Sequence, residues 1–451
     1  MIGIAIFALL FGLSAAGTFE DMVQSKENAD MSKNWAVLLT GTKDYDNYHD
    51  QADISHAYQV LIRRGFHPDK IITMMYDNIA THVENPFPDE LYNNYSHINV
   101  YDGVKVDYRT VMVHSKNFLL MMKGDQGLKQ KGFKVLESTE EDTIFLNIVD
   151  NGSNGMLYFP VRDYLEASQL QDLITEMSDK KRFKQMLIYV QSQKAGSMFS
   201  NYNFPTNVYA ITSTNTEEIS YNCYCEDPAF YVCLGTCFSV NWMYDTETHS
   251  TTDRTVEQQY ESVKKATNLS HVTTYGDQEI SKKFLSEFQG TTTSEKPEKR
   301  IRVSEPDHVE ANKAHLMRHY QVIKRSNDLV AVRKAKQHIK LDEMRNAQAA
   351  QVVDWIIEES MGKLTEAANN KMTKQVNTNT DFPEPRNYGS CYKDLVIEFT
   401  DCFRMNKVPM SAEHHYKLRN LCKLRAEIKQ SSEELKAIVT DACDFKFALL
   451  S

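Results

Sequence analysis

Two short polar stretches hold the residue types from which a hydrolytic site is built. One is Asp150-Asn151-Gly152-Ser153, and the other is Gln191-Ser192-Gln193-Lys194-Ala195-Gly196-Ser197-Met198. Covalent hydrolysis needs an activatable nucleophile and a base positioned to take its proton. Asn151 has no titratable nitrogen, and the Gln193 amide is neither nucleophile nor acid–base group. Ser192 and Ser197 are hydroxyl nucleophiles by type, yet no base accompanies either in this pattern. The other reactive side chains are eight cysteines, in two groups of four: Cys223, Cys225, Cys233 and Cys237, then Cys391, Cys402, Cys422 and Cys443. The spacing of the first group matches no common zinc finger, and no metal or other cofactor is expected. An even count in a secreted chain favours disulfides, with three pairings open within the first group.

Each polar stretch follows an apolar run, Thr143–Val149 and Met186–Val190, of the length and composition of a strand buried on both faces. Gly-rich loops at the ends of two such strands converge on one crevice in an α/β sheet. Further strands are expected at 35–40, 71–76 and 207–213. Ala57, Val60 and Leu61 mark the inner face of a helix ending near Gly65, and a second helix is expected over 170–183. Strands alternating with helices predict a mostly parallel sheet.

Both polar stretches resemble the legumain (asparaginyl endopeptidase) family of cysteine proteases. In that family the first strand ends in Asp-His-Gly-Ser, whose His is the general base, and the second in Glu-Ala-Cys-Glu-Ser-Gly-Ser-Met, whose Cys is the nucleophile. Asn151 stands at the His position and Gln193 at the Cys position. The resemblance extends through Asn47-Tyr-His-Asp-Gln-Ala-Asp53, His56-Ala-Tyr-Gln59, Met74-Met-Tyr-Asp77, Ser239-Val-Asn-Trp-Met243 and Phe288-Gln-Gly290. It implies a caspase-like α/β domain. It also implies a pocket for a substrate Asn side chain, walled by an Arg and an Asp and assisted by a Glu and a Ser. By position the Arg is His49, the His after it Asp50, the Glu Gln191, and the Asp Thr236. Ser220 persists, as does Asn47, which in the family orients the catalytic His. Losing both charged walls removes most of a bidentate amide clamp.

Beyond residue 290 a polar stretch with two prolines reads as a linker, and helical periodicity then takes over. Ser390-Cys391-Tyr392 and Asp401-Cys402-Phe403 resemble the legumain C-terminal prodomain, a helical, death-domain-like cap. The resemblance implies the pairs Cys391–Cys422 and Cys402–Cys443. The catalytic subunit of the GPI transamidase, a related family, has a membrane helix and no such cap, and fits worse. Residues 1–290 carry 24 Lys and Arg against 38 Asp and Glu, and residues 291–451 carry 27 against 23. Opposite net charges suit a cap docked electrostatically and loosened in acid.

The expected organisation is a signal peptide at 1–17, a peptidase domain at 18–290, a linker with an activation-peptide-like segment at 291–345, and a helical cap at 346–451. Asn327, in Lys324-Arg-Ser-Asn-Asp328, is the candidate activation cleavage site. Acceptor sequons begin at Asn94, Asn151 and Asn268, with Asn94 and Asn268 the safer acceptors. These features predict a secreted or endolysosomal pseudoprotease with no membrane span. The expected partners are its own cap, cystatin-like inhibitors, peptides or an active legumain paralogue, with no nucleic acid. The alternatives are an endopeptidase or ligase with a non-standard nucleophile, and a structural or storage protein.

Overall fold

A computed structural model of the chain describes residues 31–160, 162–291, 307–367, 391–405, 415–428 and 431–450. The expected signal peptide and almost all of the Pro-containing linker lie outside the described residues.

Six strands form the central sheet: β1 (Asn34–Leu39), β2 (Ile71–Met74), β3 (Thr143–Val149), β7 (Gln185–Gln191), β8 (Val208–Thr212) and β11 (Thr273–Gly276), in the order β11-β8-β7-β3-β1-β2. All pairings are parallel except the antiparallel edge strand β11. Along β1, Trp35, Val37 and Leu39 enter one apolar cluster while Ala36 and Leu38 enter another, so both sheet faces are covered. That burial explains why these strands read as continuous apolar runs. On one face lies α1 (Tyr48–Arg63), which buries Ala57, Val60 and Leu61 and stops where Gly65 takes a φ of 86°. The fold class expected from the sequence, a mostly parallel α/β sheet with a helical C-terminal region, is the one observed.

Two small antiparallel sheets flank the strand ends, and neither was legible beforehand. One comprises β4 (Gly152–Ser153), β5 (Met156–Phe159) and β6 (Asp163–Glu166), which continue directly from the Asn151 loop. The other comprises β9 (Tyr221–Cys223), β10 (Gly235–Thr236) and β12 (Val309–Glu310). Strand β12 comes from the segment after residue 306, so that segment is partly built into the peptidase domain rather than being a free linker.

The C-terminal half is helical: α6 (Met317–Arg325), α7 (Leu329–Ala367), α8 (Cys391–Met405), α9 (His415–Ile428) and α10 (Ser432–Leu450), after α2 (Ser115–Met122), α3 (Ala167–Asp179), α4 (Cys237–Thr248) and α5 (Val256–Ala266) upstream. The helical periodicity expected beyond the linker is realised in these helices, α8 and α9 among them. Helix α7 runs unbroken through 345/346, so the domain boundary expected there falls inside one helix. Val352, Val353, Ile356, Ile357, Phe399, Leu418 and Leu421 form the centre of a further apolar cluster. Met156 of β5 and Tyr164 of β6 belong to that same cluster, so the bundle shares its core with the hairpin that grows out of the Asn151 loop.

Candidate active site and its rim

The register of β3 and β7 brings the two polar stretches together. Val149 pairs with Gln191, and Asp150 N–H donates to Gln191 O at 2.9 Å one residue further on. The next residues leave the sheet side by side. Asn47 Nδ2 donates to Lys43 O at 2.9 Å, and Asn151 Nδ2 donates to Asn47 Oδ1 at 3.1 Å. Gln193 Nε2 donates to Asn151 Oδ1 at 3.1 Å, and Gly152 N–H donates to Gln193 Oε1 at 2.9 Å. Three amide side chains therefore form one chain of neutral hydrogen bonds across the crevice. Each uses its carbonyl as acceptor and its NH2 as donor, the arrangement open to Asn and Gln alone among uncharged side chains.

This chain decides what the site can do. No member titrates, so none can take or deliver a proton near neutral pH. Gly152 N–H is a backbone donor of the type that stabilises an oxyanion, and the Gln193 carbonyl already occupies it. Gly152 itself admits no side chain: a Cβ there would lie 2.3 Å from Ser192 Oγ and 2.8 Å from Met156 O. Both serines are committed. Ser192 is fully buried and its Oγ donates to Gln193 O at 3.1 Å. Ser197 Oγ donates to Lys194 O at 2.6 Å and accepts from Gly155 N–H at 2.8 Å. Asp150 is buried beneath the loop, with Oδ1 accepting from Asn151 N–H at 2.8 Å and Oδ2 from Gly41 N–H at 3.1 Å. Burial, then the nearby charge of Asp50, holds its carboxyl well above the ordinary range.

The pocket positions cluster at the start of α1 and the ends of β7 and β10. His49, Asp50, Gln191, Ser220 and Thr236 are each at most 3 % exposed. His49 Nε2 lies 3.5 Å from Asp50 Oδ1. Burial pushes His49 down to about 3 and Asp50 up to about 7, favouring the neutral form of each. His49 Nδ1, Asp50 Oδ2 and Gln191 Oε1 have no hydrogen-bond partner among the described residues. Thr236 is engaged instead: its hydroxyl donates to Asp53 Oδ2, whose partner oxygen accepts from Asn93 Nδ2 at 2.7 Å. Burial raises Asp53 to about 8. Sequence reading passed over Asp53 as a site residue, although it ends the Asn47–Asp53 stretch on which the resemblance rests.

The rim is held by nested disulfides, Cys223–Cys237 and Cys225–Cys233, which resolve the pairing left open by the spacing. His308 lies beside Cys223 and Cys237, but both sulfurs are spent on their disulfide. Strand β12 adds to β9 with Val309 opposite Asn222, and Ala311 N–H donates to Ser220 O at 2.9 Å. Asp307 Oδ1 accepts from Cys225 N–H at 2.9 Å, and the Gln321 amide donates to Cys225 O. In the cap, Cys391–Cys422 and Cys402–Cys443 pair as the resemblance implied. Lys393 of α8 sits 3.0 Å from Asp163 and donates to Tyr164 O at 2.8 Å, and Arg162 lies 2.5 Å from Asp401.

Of the three sequons, Asn268 is exposed and Asn151 half-buried in the amide chain. Asn94 is only 5 % exposed, with Oδ1 accepting from Ser96 N–H at 2.8 Å. Asn94 is therefore not the open acceptor its polar surroundings suggested. Asn327 is exposed in the break between α6 and α7.

An α/β sheet with paired strand-end loops, a disulfide-bonded rim and a helical cap defines a peptidase architecture of the cysteine-protease type. The family model of the Peptidase C13 family matches residues 34–291, and the chain belongs to that family, the legumains. It is 44% identical to a hemoglobinase of Schistosoma mansoni over 269 residues, 59% of this chain and 62% of that protein. It is 34% identical to the legumain of Bos taurus over 406 residues, 89% of this chain and 91% of that protein. A vacuolar-processing enzyme of Phaseolus vulgaris is 37% identical over 322 residues, 67% and 65% of the two chains. The match to the schistosome protein thus spans less than two thirds of that protein's length. No helix among the described residues is long and apolar enough to cross a membrane.

Proposed function

We propose that this chain is a capped pseudoprotease of the legumain family that acts by binding and does not hydrolyse peptides. The observation that carries this reading is the amide chain Asn47–Asn151–Gln193–Gly152. It stands at the positions of the family's base and nucleophile, contains no ionisable group, and places a carbonyl on the backbone donor that an oxyanion would need. The committed hydroxyls of Ser192 and Ser197 count against a substitute nucleophile.

Binding is favoured over a purely structural or storage role by the pocket. Three buried polar atoms there, on His49, Asp50 and Gln191, have no hydrogen-bond partner among the described residues, which leaves them for water or for a ligand's polar groups. The ligand class that fits is a peptide or a protein loop, as in a legumain substrate or a cystatin-like inhibitor; an active paralogue is the third candidate. The route is secretory or endolysosomal, and the chain stays full-length until an active relative cuts it at Asn327. Asn268 is the sequon that carries glycan.

The test is turnover of an Ala-Ala-Asn reporter, and labelling by an Asn-directed covalent probe, on pure acid-treated protein over roughly pH 4 to 8, the range of carboxylate and His titration. The expected result is neither. Cleavage abolished by Gln193→Ala or Ser192→Ala would overturn the reading.

A further inference from the structure

A cavity of about 460 Å3 lies at the seam between the peptidase domain and the cap, and it shares no residue with the strand-end crevice. Most of its wall is one face of α2 with the capping residue at each end: His114, Lys116, Leu119, Leu120 and Lys123. Residues 116 and 120 are four apart, as are 119 and 123, so they form adjacent rows on that face. Helix α3 adds Gln169, and the cap closes the remaining side with Lys393 of α8. The volume falls in the range of small-molecule sites.

Every ionisable side chain that lines the cavity is basic, and the Lys116 ammonium has no partner among the described residues. One carboxylate lies beneath. Buried Asp163 of β6 sits 3.0 Å from His114 Nδ1 and 3.0 Å from Lys393 Nζ. It also caps α2, accepting from Ser115 N–H and, at 2.8 Å, from Ser115 Oγ. The helix end is thus already satisfied, while His114, Lys116 and Lys393 share a single carboxylate. Glu166 and Asp394 lie near Lys393, but neither lines the cavity. At the other end Lys123 is paired with Glu176 at 2.5 Å. Between the two ends Leu119 and Leu120 pack against the main core yet stay only half-buried.

We propose that this cavity binds a small amphipathic anion, a carboxylate or phosphate head on a short apolar body, and that the bound anion fastens the cap. The head takes charge-assisted hydrogen bonds from Lys116 and Lys393 beside His114, and the body lies on Leu119 and Leu120. A cleft walled by one sign of charge concentrates the opposite ion near its mouth. Lys393 comes from the cap and the other basic groups from the peptidase domain, so the complete site exists only while the cap is docked. A ligand that binds that form alone stabilises it by mass action. The site is independent of whether the crevice hydrolyses peptides.

Calorimetric titration of full-length, oxidised protein at low salt tests this, with octanoate and, separately, octyl phosphate. The expected result is one saturable site with a Kd at or below roughly 1 mM, the scale open to a ligand of this size. Binding of either supports the site, and the tighter of the two identifies the preferred head. Acetate, inorganic phosphate and octanol each lack one half of the ligand and should bind at least about 10-fold more weakly. Lys116→Glu, at an exposed and unpaired position, should weaken octanoate at least about 10-fold while the melting temperature of the free protein stays the same. Octanoate should also slow amide hydrogen exchange in α8, the helix that supplies Lys393. The proposal fails if nothing saturates below roughly 10 mM, if acetate or octanol binds as tightly as octanoate, if Lys116→Glu binds unchanged, or if exchange in α8 does not move at saturation.

Discussion

The strand-end crevice and the structures that cover it are held together by different kinds of contact. In the crevice the backbone frame is kept: the β3–β7 register, Asp150 beneath the loop, and Gly152 against Ser192. The side chains that would do chemistry are neutral amides bonded to one another. In the rim and cap the implied disulfides are present, a nested second disulfide reinforces the rim, and ion pairs cross to the cap. The difference is that the cover is held by covalent links while the crevice is joined by neutral hydrogen bonds. Loops at these strand ends are also held by backbone and buried carboxylate contacts, which do not draw on the side chains at 151 and 193.

The sharpest way to break that comparison is to put chemistry back. Asn151→His with Gln193→Cys replaces the amide chain by a base and a thiol, yet His49 and Thr236 still wall the pocket. Activity on an Asn reporter should therefore stay orders of magnitude below that of a variant that also carries His49→Arg and Thr236→Asp, since wall charges set the substrate's position. Comparing kcat/KM of the two variants measures it. Equal activity would show that the pocket changes are silent.

Next come the disulfides, where the cap and rim should respond unequally. Cys391–Cys422 closes 31 residues and Cys225–Cys233 closes 8. Chain-entropy scaling gives a loss of about 3–4 kcal/mol for the first and about 2–3 kcal/mol for the second when both cysteines become Ala. Denaturant melts of the two variants test the order.

A smaller effect concerns pH and runs against the expectation that acid simply loosens the cap. Glu166 ends β6 beneath α8 and α9, and burial raises its carboxyl to about 7, while Lys393 pulls the other way. A carboxyl raised above its unfolded value holds its proton more tightly when folded, so its contribution grows as pH falls from about 7 toward the ordinary 4.5 and is lost as pH rises through 7. Glu166→Gln should remove that dependence and stabilise the capped form above neutrality, by on the order of 1–3 kcal/mol, read from melting across pH. Any loosening of the cap in acid would then have to outweigh the Glu166 contribution through pairs such as Arg162–Asp401 and Lys393–Asp163.

The smallest effect is expected from one of those pairs. Arg162 and Asp401 are 35% and 30% exposed, so solvent screens them. Arg162→Ala should cost no more than about 1 kcal/mol, and raised salt should shrink the difference further. A larger loss would mean that the cap is held by charge more than by the Met156 and Tyr164 contacts with its core.

The sequence by itself determined the local, periodic and covalent features. Buried parallel strands read as unbroken apolar runs because both faces are covered, so β1, β3 and β7 were legible, and α8 and α9 announced themselves by their stripes. The residue types at 151 and 193 excluded acid–base and thiol chemistry there, because an amide lacks both wherever it is placed. Tertiary structure decided what depends on proximity across the chain. The two- and three-residue strands β4, β9, β10 and β12 carry too little pattern to be read, and they exist only because neighbours supply their hydrogen bonds. The choice of Cys223–Cys237 with Cys225–Cys233, the burial of Asn94, and the bonds that join Asn47, Asn151, Gln193 and Gly152 arise the same way. Composition names the groups available, and only folding sets which of them lie within three ångströms of one another.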